Sequence, residues 1–425
     1  MTQRARRLLA AACVFAALAG CSNDGTPTPP DPRPGRFASS HPGSVNTYWI
    51  TAPDGLVVVD TLRTPGDAEQ AIAEIRKTGK PVVGVLLTHS HPDHVGGAGA
   101  FREAFPQAPI HASRTTDQAM REDKRGFYPL AHSANANFPT EPTYADRVFE
   151  DGATVEVGGL HLKTATFTGG ESDTATVYYR ADTGDLYSGD LATVRVTPAL
   201  IEGNSCGWLK VLDQLDGRFP AARTLYPGHG EPGAARELID GQRRYLRQFR
   251  HLVRLAIAPD SPEGGTVTPV EETSIVTELD RVYPDHPPVA DLPALTPVNI
   301  KAVAQELAAE GPSDCAEADE LLAPVRGYVD AVNAGDLDAL AGVFAEDAEL
   351  VDVGRRFTGR AAIRAWAENE VVGGKLTVTE VAENRPGYQR LLVRFAPGGT
   401  GGFDAHYAFT VTGSTIGKAE LAYAR

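Results

Sequence analysis

Leu86 to Gly97 reads LLTHSHPDHVGG, an aliphatic run followed by three histidines and an aspartate within six residues and then a glycine pair. Imidazoles and carboxylates are costly to bury unless something pairs with them. A chain that ends an apolar strand in such a cluster must fold so that a cation or a counter-charge meets it. In extended backbone, residues two apart point the same way, so His89 and His91 can offer nitrogens to one metal. Pro92 suits the first position of a helix, which turns Asp93 and His94 toward a second metal beside the first. Gly96 and Gly97 leave room for another stretch of backbone to pass closely. A second metal needs further ligands. The sequence supplies Asp190 in LYSGD and His229 in YPGHG, each at the end of a strand-like run.

The flanking sequence alternates strand and helix signals. TYWITAP and GLVVVDT, separated by Pro-Asp-Gly, predict a hairpin. GDAEQAIAEIRKTGK predicts a helix with Ala71, Ile72 and Ile75 on one face. PVVGVLLT predicts a strand covered on both sides. GAFREAFP predicts a short helix and APIHAS a strand. ATVEVGGLHLKTATF and TATVYYRADTGDLYSGD predict strand pairs, and ARTLYPGHG a strand ending at His229. WLKVLDQLDGRF, ARELIDGQRRYLRQFRHLVRLAI and PVNIKAVAQELAAEG predict helices, whereas the Pro-rich stretch from Pro259 to Pro297 receives no assignment. After Gly311 to Asp314 (GPSD) the order changes to helices and then three strand-like runs, which predicts a separate α+β domain.

HSHPDH matches the HxHxDH signature of the metallo-β-lactamase fold superfamily, and SGD and PGHG follow in that family's order. The resemblance covers about Ser40 to Gly311. It implies an α/β fold, an αββα sandwich with a dinuclear metal site on one edge of two packed sheets. By position, His89 and His91 look like ligands of one metal, Asp93, His94 and His229 like ligands of the other, and Asp190 bridges. One position departs from the pattern. Where the family usually carries a His in a PGH segment, FTGGESDTATVYY places Glu171. Three roles are open to it: a direct ligand, a neighbouring group that handles protons, or a solvated loop residue. Direct ligation would give an oxygen-richer site and bring iron or manganese into competition with zinc.

The resemblance implies two divalent cations, zinc foremost, sharing a water whose pKa they lower. Asp93 and Asp190 are then the catalytic carboxylates, with Asp93 placed to pass a proton to a leaving group. The expected enzyme is a metal-dependent hydrolase that uses a bridging hydroxide on a carbonyl ester-like bond of a small molecule: a lactone, thioester or ester, with a β-lactam ranked lower. GNSCG around Ser205 is not the GxSxG of a serine nucleophile. Asp60 is expected to brace the site by hydrogen bonds. His111, His132, His161, His251 and His286 are read as structural or surface residues. Asn204 and Trp208 either line the substrate pocket or merely anchor a loop and a helix.

YVDAVNAGDLDALAGVFAEDAELVD with FTGRAAIRAW resembles the NTF2-like, SnoaL-like superfamily over about Asp319 to Arg425. The implied fold is an α+β cone with an apolar pocket, into which Asp352, Asp404 and His406 could face. Such a domain could also pair two copies into a homodimer. The alternative function follows from it: a non-catalytic surface binding or sensing lipoprotein whose working site is this pocket.

The first residues, MTQRARRLLAAACVFAALAGCSNDG, have the arginines and short apolar run of a secretory signal, too short to span a bilayer stably. LAGC resembles a bacterial lipobox, which implies cleavage before Cys21 and lipid on its thiol. The expected plan is a lipoprotein signal over 1–20, a Pro-rich tether over 21–40, a metallo-β-lactamase-fold domain over 41–312 and an NTF2-like domain over 313–425. The expected location is the extracytoplasmic face of the cell envelope, held by lipid. There, Cys206 and Cys315 could form a disulfide. The net charge of −15 across 425 residues argues against nucleic acid as a partner.

Overall fold

The computed structural model describes residues 33–257, 265–284, 286–292, 294–309, 321–385, 387–399 and 401–424. The signal, Cys21, most of the tether and Cys315 lie outside the described residues. Sheet one is β1 (Gly35–Ala38), β2 (Asn46–Ala52), β3 (Gly55–Val59), β4 (Val82–Leu86), β5 (Ile110–Ser113) and β6 (Arg147–Phe149), in that spatial order. β2 and β3 form the expected antiparallel hairpin, and β3 to β6 run parallel. Sheet two is β7 (Thr154–Val157), β8 (Leu160–Thr168), β9 (Thr174–Arg180), β10 (Asp185–Gly189), β11 (Thr224–Pro227) and β12 (Gly233–Ala234), each beside the next.

The two sheets face each other across one apolar layer, in which Tyr48, Ile50, Val57 and Val59 meet Val155, Leu162, Tyr178 and Tyr187. Helices cover both outer faces. On sheet one lie α1 (Pro65–Lys77), α2 (Pro92–Val95), α3 (Ala98–Ala104), α4 (Arg114–Glu122) and α5 (Phe127–Ala134). α1 shows why the chain turns helical there. Thr64 caps it by accepting from the Asp67 N–H, Pro65 opens it, and Arg76 and Lys77 sit in its last turn. Its buried stripe of Ala68, Ala71, Ile72 and Ile75 packs beneath the sheet. Each isoleucine contributes on the order of 2 kcal/mol by leaving water. On sheet two lie α6 (Ser205–Arg218), α7 (Ala235–Ala256), α8 (Pro269–Val282) and α9 (Leu295–Ala309). The result is an αββα sandwich.

Three features differ from the sequence reading. β1 lies inside the stretch expected to be tether: it pairs antiparallel with β2, and Arg36 donates to the Gly230 carbonyl at 3.1 Å. α4 and α5 occupy a stretch given no element. The Pro-rich segment contains α8, started by a capping box in which Thr268 and Glu271 satisfy each other's backbone.

The C-terminal part has helices at Ala323–Ala334, Leu337–Gly342 and Arg360–Glu370. They pack on a sheet of β13 (Phe344–Asp352), β14 (Arg355–Thr358), β15 (Lys375–Arg385), β16 (Tyr388–Ala396), β17 (Phe403–Thr412) and β18 (Thr415–Tyr423). The spatial order is β14-β13-β18-β17-β16-β15. Alternation along β17 sends Ala405, Tyr407 and Phe409 into the core. Asp404 and His406 therefore point away from the cone and not into it. Asp404 lies 3.7 Å from Arg281 of α8. Asp352 does line a cavity at the cone, beside Arg355 and Trp366. No helix among the described residues is long and apolar enough to cross a membrane.

Candidate metal centre

β4, β10 and β11 end at the same edge of the sandwich, and the clustered residues follow each end directly. Single bridges stitch the sheets together there, His89 to Ala175 and Val45 to His229. Two buried tyrosines from the intersheet layer pin the strand ends. Tyr178 donates to the Leu87 carbonyl at 2.7 Å, two residues before His89. Tyr48 donates to the Pro227 carbonyl at 2.8 Å, two residues before His229.

Seven side chains converge in two groups, His89, His91, Glu171 and Asp190 in one and Asp93, His94 and His229 in the other. Within each group the candidate ligand atoms lie within 4.8 Å of one another. In the first, Glu171 stands 3.3 Å from His91 Nδ1 and 3.8 Å from His89 Nε2. In the second, His229 Nε2 is 3.2 Å from Asp93. Asp190 lies between them: its Oδ1 is 3.3 Å from His94 Nε2, and its Oδ2 is 3.3 Å from His229 Nε2 and 4.0 Å from His89 Nε2. All seven expected residues are thus brought together, Glu171 included.

The far side of each ring is braced. His94 Nδ1 lies 2.8 Å from Asp60, which also accepts from the Thr88 N–H and hydroxyl, both at 2.8 Å. With its proton committed to Asp60, the Thr88 oxygen accepts from His89 Nδ1 at 3.0 Å. His229 Nδ1 donates to the Gly43 carbonyl at 2.7 Å. These bonds fix the Nδ1 protons away from the centre, so that a bound cation would meet the Nε2 atoms of all three rings. His91 uses its other nitrogen inward, and its Nε2 meets Glu202 at 3.1 Å. Glu202 is in turn 3.0 Å from Arg125, which pairs with Asp173. The sequence reading gave Glu202 no role, although it lies two residues before Asn204, which was singled out. Trp208, also singled out, is buried and donates to the Leu191 carbonyl at 2.9 Å, an anchoring role.

The facing atoms meet only one another, without the geometry of a hydrogen bond. His89 Nε2, His94 Nε2, His229 Nε2, Glu171 Oε2 and Asp190 Oδ1 are buried without a hydrogen bond. Orphaned buried polar atoms are costly, and five converging on one point fit cations. Mixed imidazole and carboxylate donors suit zinc, iron or manganese. Gly228 keeps this space open, because a Cβ there would collide with the Asp190 carboxylate and the His94 ring. Gly96 and Gly97 are pressed against the carbonyls of Arg63 and Thr61, the close passage their sequence suggested.

The electrostatics reflect that crowding. Burial lifts Glu171 to about 7, against the pull of the His91 imidazole. Burial opposes the charge of His229, yet Asp190 and Asp93 raise it to about 10. His94 rises for the same reason, through Asp190, Asp60 and Asp93. His89 falls, through burial and its neighbouring imidazoles. Asp190 is held low by His229 and His94 in spite of burial. The other histidines stay apart. His111 is buried beside Arg147 and pulled down to about 4, His132 bonds the Phe138 carbonyl, and His161 is exposed. Cys206 is disulfide-bonded, and its expected partner, Cys315, is outside the described residues.

Two clefts open onto the centre. One is walled mainly by apolar side chains, Phe127, Leu130 and Ala131 of α5 facing Ile201, Val289 and Leu292. The other is more polar, with Ser39, Ser44, Thr64, Gln70, Asn135 and Asn137 on its lining. Both contain Arg63, Asp93 and Ala290. Three of the residues around this junction hold positive φ without being glycine: Asp60 (59°), Leu62 (69°) and Ala290 (53°). Such conformations cost about 1–3 kcal/mol each and tend to gather at functional sites.

Comparison with known proteins agrees with this architecture. Residues 41–229 match the model of the metallo-beta-lactamase superfamily, and residues 325–416 match that of the SnoaL-like domain. A linear primary-alkylsulfatase of Pseudomonas sp. is 27% identical over 47% of this chain and 44% of its own length. A hydroxyacylglutathione hydrolase of Synechococcus sp. is 28% identical over 43% of this chain and 62% of its own. In both cases the matched stretch spans less than two thirds of the relative. A solved metallo-beta-lactamase family protein from Thermus thermophilus shares 21% identity, with 65% of this chain and 90% of that one covered at a TM-score of 0.46. Residues 41–229, with their paired sheets, thus form a metallo-beta-lactamase superfamily domain, and a SnoaL-like domain follows at 325–416.

Proposed function

We propose that the first domain is a dinuclear metal hydrolase acting on an ester-like bond of a small molecule. The carrying observation is the set of buried nitrogen and oxygen atoms, none in a hydrogen bond, on His89, His94, His229, Glu171 and Asp190 that face one another. His89, His91 and Glu171 would hold one cation, Asp93, His94 and His229 the other, and Asp190 would touch both. Bound there, two divalent cations supply Lewis acidity that lowers the pKa of a water and polarises the bond to be broken.

The chain's own groups do the rest. Asp60, Thr88, Gly43 and Glu202 fix the four imidazole planes. The αββα edge keeps the ligand atoms dry, which strengthens each charge contact. Asp93, the ligand that lines both clefts, is placed to hold a proton for the departing oxygen. Relatives named for hydroxyacylglutathione and for linear primary alkyl sulfates support hydrolysis as the reaction class and leave the bond open. Carbonyl esters, thioesters and lactones are the favoured panel, with alkyl sulfates beside them. The alkyl sulfates are favoured by the apolar cleft. Zinc is the favoured metal. Attachment through lipid on Cys21 at the cell envelope belongs to this reading and is supported by the signal layout of the sequence.

Elemental analysis of the metal-supplemented chain, beside hydrolysis of that panel, tests the proposal. About two metals per chain and chelator-sensitive turnover are expected. A metal content near zero after supplementation would sink it and favour a surface binding protein working through its C-terminal cavity.

A further inference from the structure

We infer that the substrate is bipartite: an apolar chain lying in the α5 cleft, joined through the scissile bond to a polar, hydrogen-bonding part in the second cleft. The inference rests on the hydrolase reading and names its substrate class.

The two clefts have opposite chemistry and a common border. In the first, Phe127, Leu130, Ile201, Val289 and Leu292 offer an almost unbroken apolar wall. Leu130 is 62% exposed, and together with Phe127 and Ile201 it leaves apolar surface that a ligand could cover. Phe127 also stands edge-on to the His91 ring, with centroids 5.3 Å apart, so the apolar wall runs up to a metal ligand. In the second cleft the walls are Ser39, Ser44, Thr64, Gln70, Asn135 and Asn137. Arg63 donates to the Ala290 carbonyl at 2.6 Å, Asp67 accepts from the Thr64 hydroxyl at 2.7 Å, and His41 also lines this cleft. A lining so rich in donors and acceptors suits a hydrogen-bonding group.

The border fixes where the bond must lie. Arg63, Asp93 and Ala290 line both clefts, and Asp93 is a candidate ligand. A molecule reaching into both clefts therefore passes the metal centre at the junction of its two halves. The partition is also tied to the centre: the Gly43 carbonyl that accepts from His229 accepts from the Ala290 N–H as well, at 2.9 Å. Arg63, held across this partition, is a positioning residue that registers the two halves. In the reaction, the oxygen of water bonds to the carbon of the apolar acid, and the bond from that carbon to the oxygen of the polar part breaks. That oxygen leaves with a proton as an alcohol.

Two measurements on the full chain test the inference. The first is calorimetric binding of octyl glucoside, an amphiphile without an ester, to the metal-free protein below its critical micelle concentration, beside glucose and octanol alone. The amphiphile should bind at least tenfold more tightly than either fragment. L130E and N137L should each weaken it by roughly tenfold. Equal binding of amphiphile and octanol, or no effect of L130E, overturns the inference whatever the enzyme's activity. The second is hydrolysis by the metal-loaded chain of glyceryl and hexyl esters of acids from two to twelve carbons. We expect kcat/KM to rise about fourfold per methylene, as burial of each methylene would give. Glyceryl esters should be preferred, and N137L should erode that preference. Turnover that ignores both chain length and alcohol overturns the inference but leaves the hydrolase reading standing. Two bound metals with no turnover of any ester or sulfate count against the hydrolase reading, and the binding experiment still decides the substrate geometry.

Discussion

The two halves of the metal centre are built from similar residues but held differently. The half around His94 and His229 is braced by Asp60 and by the backbone carbonyl of Gly43, which flank the largely buried β3 and β2. The half around His89 and His91 contains Glu171, and His91 is braced by Glu202, a loop carboxylate that itself leans on Arg125. Each half offers two imidazoles and one carboxylate of its own beside the shared Asp190. What differs is the support: the rings of His94 and His229 lean on Asp60 and a backbone carbonyl, whereas His91 depends on a chain of side-chain ion pairs. The two cations should therefore not be held alike: the first half, around His89 and His91, should release its metal sooner.

The largest effect should come from the residue that both halves share. D190A removes the carboxylate between them, so bound metal should fall from about two to below one and hydrolysis should drop at least 1000-fold, a scale set by the loss of paired-metal chemistry. Retention of both metals would show that the halves are independent. Next comes E171A, which should empty the first half and leave about one metal per chain, whereas E171H should retain two and shift preference from manganese toward zinc. Equal metal content in wild type and E171A would return Glu171 to the role of a nearby proton-handling group. E202Q keeps the shape but weakens the brace on His91, and should cost roughly 10-fold to 100-fold in affinity at the first half only. A matching loss at the second half would erase the asymmetry.

The metal-free protein should betray the same crowding through pH. His229, raised from an ordinary value near 6.5 to about 10, binds more proton in the folded than in the unfolded chain between those values. Its contribution is therefore complete below about pH 6.5 and is lost as pH rises toward 10. The Tm of the metal-free chain should fall from pH 6.5 to 9. Metal loading should flatten that slope, because a bound cation replaces the proton. A metal-free Tm that rises across this window would contradict the assignment.

How much of this was legible in the sequence depends on distance along the chain. His89, His91, Asp93 and His94 crowd six residues, and strand and helix periods alone aim them. Asp190 and His229 announce themselves by glycine-flanked strand ends. Glu171 was visible only as a departure from a pattern. Glu202 was not visible, because its partner His91 is 111 residues away and a loop glutamate has no local signature. The same holds for Arg63, which meets Ala290 across 227 residues. The apolar cleft was hidden because the stretch that forms α5 was assigned no element, and its purpose shows only when Phe127 and Leu130 stand opposite Ile201. In the C-terminal domain the period of two along β17 was readable, but which face meets the cone was not. Asp404 and His406 took the other side.

The smallest expected effect tests whether the frame itself is symmetric. Tyr178 and Tyr48 each spend a buried hydroxyl on the carbonyl two residues before a metal-facing histidine, Leu87 for His89 and Pro227 for His229. Replacing either by Phe removes about 1 kcal/mol and leaves a carbonyl short of a donor, for a total cost of about 1–3 kcal/mol by denaturant titration. The geometry predicts that the two variants differ. Pro227 also accepts from the Asn46 side chain at 2.9 Å, so its carbonyl keeps a partner in Y48F. At the Leu87 carbonyl, the side-chain donor among the described residues is Tyr178 itself. Y178F should therefore be the more destabilising of the two and should also lower metal occupancy at the first half, while Y48F leaves the second half filled. Equal losses of stability and metal in both variants would mean that the strand ends are fixed by the sheets alone, and that the asymmetry of the centre resides wholly in Glu171 and Glu202.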